Sequence, residues 1–154
     1  MHSLSERLSP WGWFSGGAAA RGPRLAKADH PAFEADTAER GALSALSRPE
    51  RVRRAFEEIP MSAREAAAVA ALLDAPGATA LELSRYCGWM DTGWRTQMLL
   101  LCQRRRRYFW PGGMAAGATN GAILNALTEY NSDALSFRPR GELTAILRQA
   151  VAAA

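Results

Sequence analysis

The stretch Thr79–Gln103, TALELSRYCGWMDTGWRTQMLLLCQ, decides the fold that we predict for this chain. Thr79 and the glutamate three residues later form a capping box, which starts a short helix. Gly88 supplies the left-handed conformation of a tight turn, and Asp91 or Thr92 then caps a second, longer helix. Two helices joined by a glycine-containing turn are typical of a helix-turn-helix.

Two more capping boxes precede this stretch, at Ser47–Glu50 and Ser62–Glu65. Each stands before apolar residues at helical spacing, so we predict helices over about residues 48–59 and about residues 63–74. The second helix of the helix-turn-helix is predicted to continue to about residue 105, because its apolar side chains keep the helical period.

Two short segments downstream predict a small sheet. RYFWP (107–111) has aromatic β-formers stopped by proline, and ALSFRP (134–139) reads as a second strand. Between them, Thr119 or Asn120 caps a helix whose apolar stripe is Ile123, Leu124, Leu127 and Tyr130. A last amphipathic helix carries Leu143, Ile146, Leu147 and Val151. The predicted fold class is α+β: a mainly helical, winged-helix-like domain with a two- or three-stranded β element and a C-terminal helix.

The domain organisation follows from composition. Residues 1–46 contain SGGAAARGP, scattered prolines and no long apolar period, so we predict a flexible N-terminal arm. Residues 47–154 form the single folded domain. Trp11 and Trp13 are unusual in a free arm, and we expect them either to lie in a disordered segment or to pack on the body or a partner.

Charge gives the first functional clue. The chain carries 19 basic and 15 acidic residues, a net charge of +4, and the whole excess lies beyond residue 46. Four consecutive arginines, Arg104–Arg107, form its densest part. Cations at a helix end complement the helix dipole, but four exceed that need and repel one another without anions. We therefore favour phosphate contact for this run.

A resemblance supports this interpretation. The pattern GATxxELxxxxGW over Gly77–Trp89 resembles the helix-turn-helix of winged-helix bacterial regulators. The segments YFWPG (108–112) and EYNSDALSFRP (129–139) resemble the downstream part of small uncharacterised bacterial proteins, some of them from mobile elements. Winged-helix similarity implies that the second helix of the motif enters the major groove and that the hairpin touches the backbone or minor groove.

The outward face of that second helix carries the predicted site. We expect its polar side chains to read base edges and the neighbouring arginines to hold phosphates. The predicted nucleic-acid-binding residues are Thr92, Arg95, Thr96, Gln103, Arg104, Arg105, Arg106, Arg107, Arg138 and Arg140. Leu99 and Leu100 do not suit base edges beyond contact with a thymine methyl. They are predicted to be covered by the C-terminal helix, by another subunit or by another protein.

Two functions remain open at this point. The leading one is binding of double-stranded DNA, in bacterial transcriptional regulation. The alternative is a protein-interaction module on the same fold, an inhibitor or adaptor of a nucleic-acid-processing complex. Interface candidates for a homodimer or a protein partner are Trp11, Trp13, Leu99 and Leu100.

Other function classes find no support in the sequence. There is no P-loop, GxGxxG, HExxH or GxSxG motif, and both histidines, His2 and His30, lie in the arm, so we expect neither an enzyme nor a cofactor nor a metal site. Cys87 and Cys102 form no CxxC pair, which favours a reducing, cytoplasmic location. No apolar run is long enough for a membrane span.

Overall fold

Three helices begin where the capping boxes predict. The computed structural model describes residues 31–154. Ser47, Ser62 and Thr79 each accept a hydrogen bond from the amide of the glutamate three positions on, and each glutamate carboxylate accepts one from the amide of its cap residue. The first four helices are α1 (Pro31–Ser44), α2 (Arg48–Glu58), α3 (Ala63–Asp74) and α4 (Ala80–Tyr86). The predicted starts of α2, α3 and α4 are confirmed.

α5 (Gly93–Arg104) follows α4 after a turn, and the two helices occupy the segment that was predicted as a helix-turn-helix. Gly88 in this turn has a φ of +73°, in the left-handed region that favours glycine. The Ser84 hydroxyl of α4 accepts a hydrogen bond from the Trp94 amide of α5 at 3.1 Å. Trp94 is fully buried, and its indole nitrogen donates to the Ala68 carbonyl of α3 at 3.0 Å. These bonds fix both helices of the motif on α3.

The segment after α5 is a helical turn, α6 (Arg106–Phe109), and not the predicted strand. The strand prediction is wrong because the aromatic side chains here pack against α2. The Phe109 ring meets that of Phe56 edge to face with centroids 6.3 Å apart, and the Tyr108 hydroxyl donates to the Glu58 carboxylate. Burial against α2 outweighs the β propensity of these aromatic residues.

One antiparallel sheet of three strands is present in the described residues, in the order β1–β3–β2. Its strands are β1 (Ala78–Thr79), β2 (Thr128–Asn131) and β3 (Ser136–Pro139). β2 and β3 form a hairpin, hereafter the wing, and β1, which directly precedes α4, pairs with β3. A helix, a short strand, two helices joined by a turn, and a hairpin paired with that strand make a winged-helix-like layout. The predicted α+β fold class is confirmed.

Between α6 and the wing lies α7 (Asn120–Leu124), which Thr119 caps through its hydroxyl. The predicted apolar stripe of this helix was too long: the helix ends at Leu124, and Tyr130 lies in β2, where its side chain is largely exposed. After β3, a 3-10 turn leads into α8 (Thr144–Ala152), the predicted C-terminal helix.

The core is centred on α3, which contacts α4, α5, α8 and β3. Residues 40–154 form one compact unit, and residues 31–39 belong to a separate one. The predicted flexible arm is described only from residue 31 onward, and there it is helical because α1 extends to Ser44. Leu43 of α1 is buried in the core of the second unit. Ordered structure therefore begins before the predicted boundary at residue 47.

Candidate nucleic-acid interface

The outer face of α5 is largely polar. Its fully buried side chains are Trp94, Met98, Leu101 and Cys102. Because successive residues of a helix turn by about 100°, the side chains on the other side form one stripe along the helix. The exposed polar residues of this stripe are Thr92, Arg95, Thr96 and Gln103. The structure thus brings together Arg95, Thr96 and Gln103, which were predicted to read base edges, and Thr92, which was predicted to contact a phosphate.

The start of α5 differs from the prediction in its capping. Thr92 is the N-cap residue of α5, but its side chain makes no capping hydrogen bond, and Asp91 makes none that caps the helix. The capping role belongs to the Ser84 hydroxyl of α4, which accepts a hydrogen bond from the Trp94 amide. Sequence reasoning missed Ser84 because its partner is ten residues away. The exposed Thr92 hydroxyl is left on the surface of the motif.

Arg95 lies where α5 meets the wing. Its guanidinium stands 5.9 Å from the centre of the Phe137 ring in β3, and the side chain is exposed. Phe137 itself is buried and packs against Trp94, with ring centroids 5.0 Å apart. Arg95 is therefore held at the edge of the exposed face of α5 while its charged end stays accessible.

The two leucines of α5 behave differently from each other. Leu99 is half-buried and packs against the core. Leu100 is 47% exposed. Met90 and Tyr86, which flank the turn of the motif, are 85% and 60% exposed. The described residues thus cover Leu99 in part and leave Leu100 exposed, so the predicted burial of Leu100 by the C-terminal helix is wrong.

Arg105 is the clearest correction to the predicted site. Its side chain is fully buried, and its guanidinium donates to the carbonyls of Ile59, Pro60 and Leu101 at 2.8–3.1 Å. It also donates to the Glu65 carboxylate at 2.8 Å. Phosphate contact by Arg105 is wrong because all of its nitrogens are occupied inside the protein. Arg105 instead joins α5 to the end of α2 and the start of α3.

Arg104 shares the same carboxylate. Its guanidinium donates to Glu65 at 2.5 Å, with the arginine side chain 48% exposed and the glutamate 1% exposed. Burial acts to raise the pKa of Glu65, but the hydrogen bonds and charges of Arg105 and Arg104 outweigh it, and the pKa lies below its ordinary value. Glu65 is therefore ionised at neutral pH, and half of the predicted phosphate-binding run neutralises it.

Arg106 and Arg107, in α6, are exposed. The Arg107 guanidinium stands 5.3 Å from the centre of the Tyr108 ring. These two side chains follow α5 directly, because Arg105 is the only residue between the two helices. They are the members of the run that remain accessible to an external anion without breaking a buried ion pair.

The wing carries little positive charge. Arg138 is exposed and stands directly opposite Glu129 in the hairpin register, and the turn between the strands holds Asp133. Arg140 is half-buried, and its Nε donates to the Asn125 carbonyl at 2.6 Å. The wing is thus less suited to phosphate contact than α5 and α6 are.

The net charge of the chain is concentrated on the motif. Residues 79–107, which include α4, α5 and part of α6, hold six arginines and two acidic residues, so this segment alone has the +4 of the whole chain. Two of the six, Arg104 and Arg105, are paired with Glu65. The four that remain are exposed: Arg85, Arg95, Arg106 and Arg107.

The described residues give little support for metal binding or for thiol chemistry at Cys102. Within residues 31–154, no group of three or more His, Cys, Asp or Glu side chains is placed to hold a metal ion. Burial raises the pKa of the Cys102 thiol to about 12, which keeps it neutral. No helix of the described part is long and apolar enough to span a bilayer. Trp11 and Trp13 lie outside the described residues.

No protein-family model matches the chain, and no curated protein or solved structure does either.

Proposed function

We propose that this protein binds double-stranded DNA through its helix-turn-helix, with α5 in the major groove. The observation that carries the proposal is the coincidence of two properties on one motif. The outer stripe of α5 is polar and accessible, and the segment that contains it has the entire net positive charge of the chain. Phosphate attraction acts over about 10 Å, so a local concentration of arginines has a larger effect than the modest total.

The proposed contacts divide into two groups. Thr96, Gln103 and Arg95 contact base edges, since hydroxyl, amide and guanidinium groups match the donors and acceptors of the major groove. Arg106 and Arg107 hold phosphates, and Thr92 at the start of α5 adds a further backbone contact. Arg104 contributes less, because it neutralises the buried Glu65. Transcriptional regulation in a bacterium is the process for which we propose this activity.

A negative charge on the reading face tests the proposal. Thr96→Glu adds a carboxylate in the middle of α5, at an exposed position where glutamate is a good helix former. We expect it to weaken binding to a short random-sequence duplex by at least about tenfold at about 50 mM salt. Fluorescence anisotropy of a labelled duplex measures the effect.

Ala145→Glu is the matched control, because it adds the same charge at an exposed position of α8, outside the motif. It is expected to leave the affinity within a factor of about three. If both variants weaken duplex affinity equally, only the total charge of the chain matters for binding. If the unmodified chain does not bind the duplex at about 50 mM salt, the proposal is refuted.

The second candidate function is protein interaction through the same motif. The exposed Leu100, Met90 and Tyr86 side chains favour it, because apolar side chains grouped on one motif mark interaction surfaces. Leu100→Glu separates the two functions. The second function is supported if the unmodified chain does not bind the duplex and Leu100→Glu abolishes binding of a captured partner or self-association.

A further inference from the structure

A cleft of about 540 Å³ lies on the part of the domain formed by α2, the end of α6, the loop after it and α7. Arginines line it on two sides: Arg48 and Arg51 from the first turns of α2, and Arg140 from the segment after β3. No acidic side chain lines it. Its volume falls in the range of sites that hold small ligands, roughly 300–1,000 Å³.

Arg51 has an unfilled donor in this cleft. Its Nη1 donates to the Leu46 carbonyl at 2.6 Å, which fixes the guanidinium. Its Nε is buried and has no hydrogen-bond partner, and it is the single buried side-chain nitrogen or oxygen in this condition among the described residues. A buried charged donor without an acceptor is unfavourable, and a movement of this side chain toward an anion in the cleft would relieve that cost.

The other two arginines are placed to complete an anion site. The Nε of Arg140 is held by the Asn125 carbonyl at 2.6 Å, which leaves its terminal nitrogens for other acceptors. Arg48 approaches Glu142 only to 4.0 Å, with both side chains nearly half exposed. Three arginines therefore line one cleft, and guanidinium groups pair with phosphate oxygens through parallel N–H bonds.

The remaining wall is aromatic. Phe109 and Trp110 line the cleft, with ring centroids 5.9 Å apart and ring planes inclined at 77°. Trp110 is half-buried, so part of its ring is open to the cleft. Gly112 and Gly113 follow, and neither has an atom within 4 Å of where a side chain would begin, so the loop leaves room for a planar group.

We propose that this cleft binds a mononucleotide, with the phosphate at Arg51, Arg48 and Arg140 and the base against Trp110. Base stacking on an aromatic side chain and phosphate pairing with arginine are the two interactions that this wall and these cations supply. The site is separate from the outer face of α5, and the proposal does not depend on DNA binding.

Isothermal titration calorimetry of the full chain with AMP, GMP, CMP and UMP tests the proposal. We expect saturable binding of at least one nucleotide, at least about tenfold weaker binding of the corresponding nucleoside, and weaker binding of inorganic phosphate than of the nucleotide. Arg48→Gln and Arg51→Gln should each weaken the nucleotide by about tenfold or more. Trp110→Ala should weaken the nucleotide and leave inorganic phosphate unchanged.

Arg53→Gln is the matched control, since Arg53 is exposed on the same helix and does not line the cleft. Its nucleotide affinity should equal that of the unmodified chain. Arg51 also donates to the Leu46 carbonyl, so a thermal melt of each variant accompanies the titration. If Arg51→Gln unfolds, Arg48→Gln still tests the phosphate site, because this variant loses only a 4.0 Å ion pair.

Three results would overturn the proposal. One is the absence of nucleotide binding at millimolar concentration. Another is nucleoside affinity equal to that of the nucleotide, because the arginines would then contribute nothing. The third is loss of duplex DNA binding in Arg48→Gln without any nucleotide binding, which would make the cleft a contact for the nucleic-acid backbone.

Discussion

The two halves of the arginine run at residues 104–107 have opposite roles although they are adjacent in the chain. Arg104 and Arg105 converge on the buried Glu65 carboxylate, and Arg105 is fully buried. Arg106 and Arg107 belong to the next helical turn and are exposed. The position of Glu65, forty residues earlier, separates an internal ion pair from an accessible cationic surface.

This difference shows how the charge of a run of basic residues should be interpreted. Its accessible charge depends on whether a carboxylate elsewhere in the fold faces it, and Glu65 does so while also closing the capping box of α3. The four arginines in sequence therefore divide into two that neutralise the buried Glu65 and two, Arg106 and Arg107, that lie in the next helical turn. The contrast predicts that variants of the first half change stability, whereas variants of the second half change DNA binding.

Replacing the buried member should give the largest effect on stability. Arg105→Met removes one of the two charges that neutralise Glu65, and it removes the hydrogen bonds to three carbonyls. We expect a loss of about 3–5 kcal/mol in the free energy of unfolding, as for other broken buried ion pairs. Urea denaturation followed by circular dichroism measures it.

Arg106→Met is the control for this comparison, because it makes the same change one residue later at an exposed position. We expect a change within about 0.5 kcal/mol. Equal destabilisation by the two variants would contradict the division of the run into a half that neutralises the buried Glu65 and a half that does not.

The pH dependence of the free energy of unfolding tests the same difference between the two halves of the run, and the expected change is smaller. Glu65→Gln removes the charge at nearly constant shape, and we expect it to cost about 1.5–3 kcal/mol at neutral pH. The folded-state pKa of Glu65 lies below its ordinary 4.5, so the stability from this group is complete above about that pH and is lost as the pH falls through the folded value.

The gap in unfolding free energy between the unmodified chain and Glu65→Gln should therefore narrow as the pH falls from about 5 to about 3. Glu57→Gln, at an exposed position of α2, is the control and should give no comparable gap. A gap that stays constant over this pH range would show that Glu65 is not the ionised centre of the cluster.

Local signals in the sequence predicted the helix starts and the succession of α4, a turn and α5. Capping boxes act within four residues, so the starts of α2, α3 and α4 follow from Ser47, Ser62 and Thr79 alone. The outer stripe of α5 follows from helical spacing in the same way. Thr96 and Gln103 are on the surface because Trp94, Met98 and Leu101 are buried.

Contacts between distant residues account for what the sequence did not predict. RYFWP has a strand-like composition, but Phe56 and Glu58 of α2 hold its aromatic side chains as a helical turn. The burial of Arg105 depends on Ile59, Pro60 and Glu65, and nothing near Arg105 in the chain signals it. The cleft likewise joins α2 to residue 140 and has no local motif.

The salt dependence of duplex binding tests the central claim most directly. Arg106→Gln combined with Arg107→Gln removes two proposed phosphate contacts, and Arg53→Gln combined with Arg148→Gln removes the same charge from exposed positions of α2 and α8. We expect the first pair to flatten the slope of log affinity against log salt by about 1.8 and the second to leave it unchanged. Identical slopes for the unmodified chain and both double variants would contradict the claim that this motif binds DNA.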